Sequence, residues 1–289
     1  MLAVLPWFEQ FAWPDPPLFG LIAVRGFGVM VVTSIMVGYQ ILVRRARLRG
    51  LDEQVVSDFV FTTVFTGFVG SHLVDVFIYH PHKLAADPWV VFKLWDGISS
   101  LGGWISGLLG AWGFFRWHAA WRPRAWEFVD CLGFAWPFAW FIARGGCALA
   151  HDHAGGPSTF FLAVDFPPNF IVQGHPGGPH HDLGLYEMIL MIVPCTIFIA
   201  LRRHERRRNG PLYFPGFYLA FFMVMYAPVR FGLDYLRHAN VDVRYFGLTP
   251  AQYMAVVMLV TGATILWIQP QAVPPAPAPS GKPGRKATA

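Results

Sequence analysis

Seven apolar stretches alternate with short polar segments along the chain, at 18–43, 55–79, 98–115, 127–149, 184–201, 212–235 and 248–268. A helix needs roughly 20 predominantly apolar residues to cross a bilayer. A helix that is apolar on every face is stable only where its surroundings are apolar as well. The pattern therefore predicts an all-α, polytopic membrane protein with about seven transmembrane helices. The third stretch, LGGWISGLLGAWGFF, is rich in small residues that let helices approach closely. The predicted organisation is an external N-terminal segment over 1–17, a transmembrane domain over 18–269 with an external loop at about 150–183, and a tail over 270–289. The tail is Pro/Ala-rich and basic, cannot bury a core, and is predicted to be disordered.

Composition agrees with that picture. Hydrophobic residues make up 55% of the chain and charged residues 13%, about half the charged fraction of a soluble domain, which is roughly 25%. The net charge of +5 does not form a basic groove for nucleic acid, because the cations sit in short clusters between apolar runs. Arg44, Arg45, Arg47 and Arg49 follow the first stretch, Arg116, Arg122 and Arg124 the third, and Arg202, Arg203, Arg206, Arg207 and Arg208 the fifth, with Lys282, Arg285 and Lys286 in the tail. Positive-inside logic applied to these alternate loops predicts an outside N-terminus, a cytoplasmic C-terminus and a multi-pass protein of the bacterial inner membrane. The segment 150–182 holds no Lys or Arg, which assigns it to the periplasm. Cys131, Cys147 and Cys195 lie in or beside apolar stretches, so no disulfide framework is expected. The N-terminus, MLAVLPWFEQFAWPDPP, lacks a basic leading region and does not read as a cleaved signal.

Arg25, Arg144 and Arg230 fall inside predicted spans. An arginine at the centre of a bilayer costs about 2.5–3.5 kcal/mol on insertion scales. Either each pairs with a carboxylate for structure, or all three share a polar cavity that binds an anion; the shared cavity explains all three at once. Tyr226, Arg230, Asp234 and Arg237 form one polar stripe at helical spacing, and Ser71, His72 and Asp75 form a second. The external segment carries His151, Asp152 and His153, then His175, His180, His181 and Asp182. His and Asp ligate zinc, but this spacing matches no specific zinc motif, so no metal is expected and a general-base role for one histidine is the better reading.

At these residues the chain resembles the prolipoprotein diacylglyceryl transferases, over about residues 18–268. The most specific stretch is Arg144-Gly-Gly-Cys-Ala-Leu-Ala-His-Asp152-His-Ala-Gly155, against a family signature Gly-Arg-x-Gly-Asn-Phe-x-Asn-x-Glu-x-x-Gly. The arginine, the internal glycine, the acid and the final glycine keep their spacing. Further matches follow in order: Arg25-Gly26-Phe27-Gly28, Trp95-Asp96-Gly97 before Gly102-Gly103, His181 with Leu185-Tyr186-Glu187, and Tyr226 through Arg230 to Asp234. The chain departs from the pattern at Leu101, where the family has a histidine, at Cys147 and Ala150, which replace asparagines, and at Asp152, which replaces glutamate. Arg25-Gly26-Phe27-Gly28 stands for a family His-x-Tyr-Gly, and Gly184 for a glutamine.

The resemblance implies transfer of the diacylglyceryl group of phosphatidylglycerol to the lipobox cysteine of a prelipoprotein signal peptide, forming a thioether and releasing glycerol phosphate, with no cofactor. It implies that Arg144 and Arg230 hold the lipid phosphate, since guanidinium forks bind phosphate bidentately. A thiol with an ordinary pKa near roughly 8.5 must lose its proton, and His151, Asp152, His153 and His181 are the candidate bases. Glu187 and Asp234 are candidates for orienting the arginines, Tyr226 for a hydrogen bond to the head group, and Arg25, Gly97, Gly102, Gly103, Gly155 and Tyr186 for contact with substrate. Three alternatives stay open: a divergent enzyme with another acceptor, a catalytically silent phospholipid-binding homologue, and a transporter.

Overall fold

The computed structural model describes residues 4–9, 12–18, 22–94, 97–168, 177–208, 210, 213–237 and 244–268. In chain order the elements begin with β1 (Leu5–Pro6), β2 (Ala12–Leu18), β3 (Ile22–Arg25), α1 (Gly26–Leu48) and α2 (Glu53–Val74). A π-helical turn, Asp75–Tyr79, then leads to α3 (Pro81–Ala86), a 3-10 turn at Pro88–Phe92, α4 (Ser100–Trp117), a 3-10 turn at Ala119–Arg124, and α5 (Ala125–Ala150). Next come β4 (Ala154–Pro157), β5 (Val164–Phe166), β6 (Gly178–Asp182), α6 (Leu183–Leu190) and α7 (Ile192–Arg207). The last described elements are α8 (Phe217–Leu233), a 3-10 turn at Asp234–Leu236, and α9 (Pro250–Ile268). The predicted tail lies outside the described residues, as do Trp95, Asp96 and His175.

Among the described residues, five helices are long and apolar enough to cross a membrane: Gly26–Leu48, Glu53–Tyr79, Leu183–Arg207, Phe217–Leu236 and Pro250–Ile268. The third and fourth predicted stretches are the helices α4 and α5. The helices turn large apolar side chains outward: Phe61 is 70% exposed, Trp112 65% and Val257 63%. In water this would be a continuous apolar surface far beyond what a soluble monomer carries, whereas lipid solvates it.

Two expectations are corrected. The chain is mostly helical, not all-α: β1, β5, β6 and β4 form a four-stranded sheet in that order, with β1 parallel to β5 and the other pairs antiparallel. The Gly/Pro/His-rich segment that follows α5 favours neither helix nor core, and its backbone groups find partners in short strands instead. The first span also shifts. Residues 22–25 pair with 12–18 as a ribbon, so the helix starts at Gly26, and it runs on to Leu48. It continues past the apolar stretch because Arg45 turns inward to Asp130 at 3.3 Å and Glu205 at 3.1 Å.

Helix contacts follow from small residues. A Cβ on Gly70 would lie 1.7 Å from Ser106 Oγ, and one on Gly102 2.7 Å from the Gly70 carbonyl oxygen, so α2 and α4 meet at near backbone distance. Gly145 and Gly146 on α5 accept Met30 of α1, and Gly184 on α6 seats against the backbone of Cys147 and Ala148. That last contact sets α6, and so Glu187, beside Arg144. Pro194 has no N–H for the Leu190 carbonyl, and the helix is interrupted nearby, at Met191, between α6 and α7.

Candidate active site

Arg144 lies near the end of α5 and is 6% exposed. Its Nε stands 2.9 Å from Glu187 Oε1, and its guanidinium lies over the Trp140 ring, 4.7 Å from the centroid. The same Glu187 oxygen accepts hydrogen bonds from Trp140 Nε1 at 2.7 Å and from the Tyr226 hydroxyl. A buried guanidinium is tolerable only when its charge is paired in this way. The opposite edge of Arg144 donates from Nη1 to His153 Nε2 at 3.2 Å and to Cys147 Sγ at 3.6 Å.

Arg230 stands one turn beyond Tyr226 on α8. Its Nη1 donates to Asp234 Oδ1 at 2.9 Å, and Arg237 Nε lies 3.6 Å from the same oxygen. Asp234 is fully buried, and its second oxygen accepts from the Thr249 hydroxyl just before α9. Both carboxylates are therefore held from two or more helical units before any ligand arrives.

Arg144 and Arg230 line one cleft. Its walls are Leu101 and Trp104 of α4, Trp140 of α5, Tyr226 of α8, and Ala251, Met254, Ala255 and Met258 of α9. Two guanidinium groups inside an otherwise aromatic and aliphatic wall suit an anion attached to apolar chains.

The other predicted residues lie elsewhere. Arg25 is exposed and precedes α1, so it is neither inside a helix nor a wall of the cleft. Gly97 takes φ 111°, and a Cβ there would come 2.4 Å from Asp75 Oδ2. The loop that carries it is fastened to α2 by Ser71 Oγ to the Ser99 carbonyl (2.6 Å) and by His72, whose ring nitrogens lie 3.0 Å from the Gly97 carbonyl and 2.9 Å from that of Val90. Gly102 and Gly103 face α2, and Gly155 faces the Leu236 carbonyl and His181. The Tyr186 hydroxyl lies 2.9 Å from His181 Nδ1. His151 is buried, with Nδ1 2.7 Å from Asp182 Oδ2, Nε2 3.1 Å from the Phe8 carbonyl, and its ring stacked on Trp7. It fastens the N-terminal segment to the sheet and to the start of α6.

Among the described residues, Cys147, Asp152 and His153 bring possible ligand atoms within 4.8 Å of one another. Arg144 already donates to the sulfur and to His153 Nε2, so a positive charge stands against the place a cation would take. Trp140 escaped the sequence reading, although it lies one helical turn before Arg144. Thr249 left no signal, because only the fold brings it to Asp234.

The chain matches the family model of prolipoprotein diacylglyceryl transferase over residues 17–268. A phosphatidylglycerol–prolipoprotein diacylglyceryl transferase of Symbiobacterium thermophilum is 26% identical over 263 residues, covering 89% of this chain and 94% of its own length. Its counterpart in Halalkalibacterium halodurans is 27% identical over 252 residues, covering 86% and 83%. That of Staphylococcus aureus strain MRSA252 is 27% identical over 235 residues, covering 78% and 79%. With a match spanning nearly all of the helical body, the chain belongs to the prolipoprotein diacylglyceryl transferase family.

Proposed function

We propose that this protein transfers the diacylglyceryl group of phosphatidylglycerol to the lipobox cysteine of prelipoproteins; its relatives are named as phosphatidylglycerol–prolipoprotein diacylglyceryl transferases. The observation that carries this reading is the pair of arginines in one cleft, each backed by its own buried carboxylate. Glu187 and Asp234 hold the guanidinium groups in place, and apolar α9 offers a wall for acyl chains. Charge develops on the departing glycerol phosphate, and fixed donors stabilise that charge without reorganising.

In this reading the chain crosses the inner membrane seven times, with α4 and α5 as the third and fourth spans, the N-terminus outside and the C-terminus in the cytoplasm. The alternation of arginine clusters supports that topology. Residues 18–269 then form the membrane domain, and β4, β5 and β6 belong to its external loop. Leu101 supports a second reading, a phospholipid binder without turnover, because it turns an aliphatic side chain into the cleft where the family resemblance implies histidine.

One assay separates them. Membranes depleted of host transferase receive the protein, phosphatidylglycerol and a lipobox peptide, and mass spectrometry looks for the diacylglyceryl thioether. Product that vanishes with Arg144→Ala supports the transferase. Folded protein that retains phosphatidylglycerol and forms no product supports the silent binder.

A further inference from the structure

We propose that His153 accepts the proton of the acceptor thiol and that Asp152 orients it, an inference that rests on the transferase reading. Asp152 Oδ1 lies 2.5 Å from His153 Nδ1. A carboxylate only accepts, so Nδ1 carries the hydrogen. Arg144 Nη1 lies 3.2 Å from His153 Nε2. A guanidinium only donates, so Nε2 carries the lone pair. Two neighbours thus select the same neutral tautomer, and the basic nitrogen faces the arginine assigned to the phosphate.

The other candidate histidines lack this arrangement. His151 has both nitrogens occupied and a side chain only 1% exposed. His181 Nδ1 is engaged with the Tyr186 hydroxyl. The His153 side chain is 26% exposed, so a thiol can reach it. Cys147 Sγ lies in the same corner, 3.6 Å from Arg144 Nη1 and within 4.8 Å of a ring nitrogen of His153. Among the described residues, the charged and titratable groups placed around His153 are Asp152, Arg144 and Cys147, with Glu187 behind Arg144. Leu101 supplies no proton acceptor from α4.

The step balances as follows. The thiol S–H bond breaks and its proton goes to Nε2. The sulfur pair forms an S–C bond to the terminal glycerol carbon of the diacylglyceryl group. The C–O bond to phosphate breaks, its electrons remain on the glycerol phosphate oxygen, and Arg144 and Arg230 hold that charge. Arg144 Nη1 donates to Nε2 before lipid arrives, so a phosphate that competes for that N–H weakens its hold on the base while the guanidinium stays on Glu187, and lipid binding precedes thiol ionisation.

His153→Gln tests this, because its amide oxygen still accepts from Arg144 but takes no proton. Wild type, His153→Gln, Asp152→Asn and Arg144→Ala are compared in phosphatidylglycerol vesicles with a lipobox peptide and with its selenocysteine analogue, whose selenol ionises without help. Losing a general base lowers turnover by about 10²–10⁴-fold. The expected result is a loss of that size in His153→Gln, with phosphatidylglycerol retention unchanged and the acid limb of the pH–rate profile gone. Asp152→Asn loses less, and the selenol peptide restores His153→Gln but not Arg144→Ala. Wild-type turnover and an intact acid limb in His153→Gln overturn the assignment. So does a loss of turnover that the selenol leaves unrepaired or that comes with loss of phosphatidylglycerol retention. Wild-type protein that retains lipid and yields no product overturns the transferase reading itself, a different result from activity that ignores His153.

Discussion

Glu187 concentrates three partners, Arg144, Trp140 and Tyr226, on one buried carboxylate oxygen. Removing that charge leaves Arg144 buried without compensation, and breaking such a pair costs about 3–5 kcal/mol. Glu187→Gln is expected to lower the thermal unfolding midpoint in detergent sharply. Tyr226→Phe, which deletes one hydrogen bond, costs about 1 kcal/mol. Equal midpoints for the two variants would show that the ion pair does not support the fold. Titration at His181 offers a test outside the helices. Burial and the neighbouring His180 hold His181 below the usual histidine range. The unfolded chain then binds the proton more readily than the folded one, so stability rises with pH. The contribution is complete above the unfolded value of about 6.5 and is lost as pH falls through the folded value. His181→Asn is expected to flatten the acid side of a melting-versus-pH curve, and an unchanged curve would exclude His181 as the source.

At the level of elements, glycines of one type do different work. Gly102 and Gly103 both face α2. A Cβ at 102 would meet Val74 Cβ at 2.6 Å and the Gly70 carbonyl at 2.7 Å, while one at 103 finds nothing nearer than 3.7 Å. Overpacking costs about 1–3 kcal/mol, so Gly102→Ala is expected to destabilise by that amount and Gly103→Ala to be near neutral in the same unfolding measurement. The reverse order would mean that α2 and α4 meet differently. The Ser71 and His72 stripe belongs to this scale too. It fastens the loop that feeds α4, and through that loop it fixes where Leu101 enters the cleft.

Across the whole molecule, a second buried charge network joins helices at the end away from the sheet. Arg45 of α1 meets Asp130 of α5 and Glu205 of α7, Arg49 reaches Asp130 at 2.6 Å, and Asp130 Oδ1 accepts from the backbone N–H groups of Gly216 and Tyr218 at the start of α8. The end of α1 and the start of α8 meet Asp130 of α5 directly, and α7 joins them through Arg45. Asp130→Ala leaves Arg45 buried without that carboxylate and strips two N–H groups, and is expected to cost about 3–5 kcal/mol or more. The check is the folded, monodisperse fraction on extraction. A wild-type yield with an unchanged midpoint would refute the clamp.

The apolar stretches by themselves determined that the chain is helical and suited to lipid, because that composition has few other solutions. The arginines stood out for the same reason, as charges inside apolar runs. The i,i+4 spacing made the Arg230–Asp234 pair legible, since it lies within one helix. The partnership of Arg144 with Glu187 joins α5 to α6, that of Asp234 with Thr249 joins the end of α8 to the start of α9, and that of Arg45 with Asp130 and Glu205 joins three helices. No period in the sequence encodes such pairs. Arg25 resembled a buried charge until strand pairing moved the helix start to Gly26. His151, Asp152, His153 and His181 read alike in the sequence, and tertiary contacts distinguish two of them by engaging both nitrogens of His151 and setting Arg144 Nη1 against His153 Nε2. Local pattern reports which groups are costly in lipid; only the packing of distant helices decides which groups meet and what remains free to react.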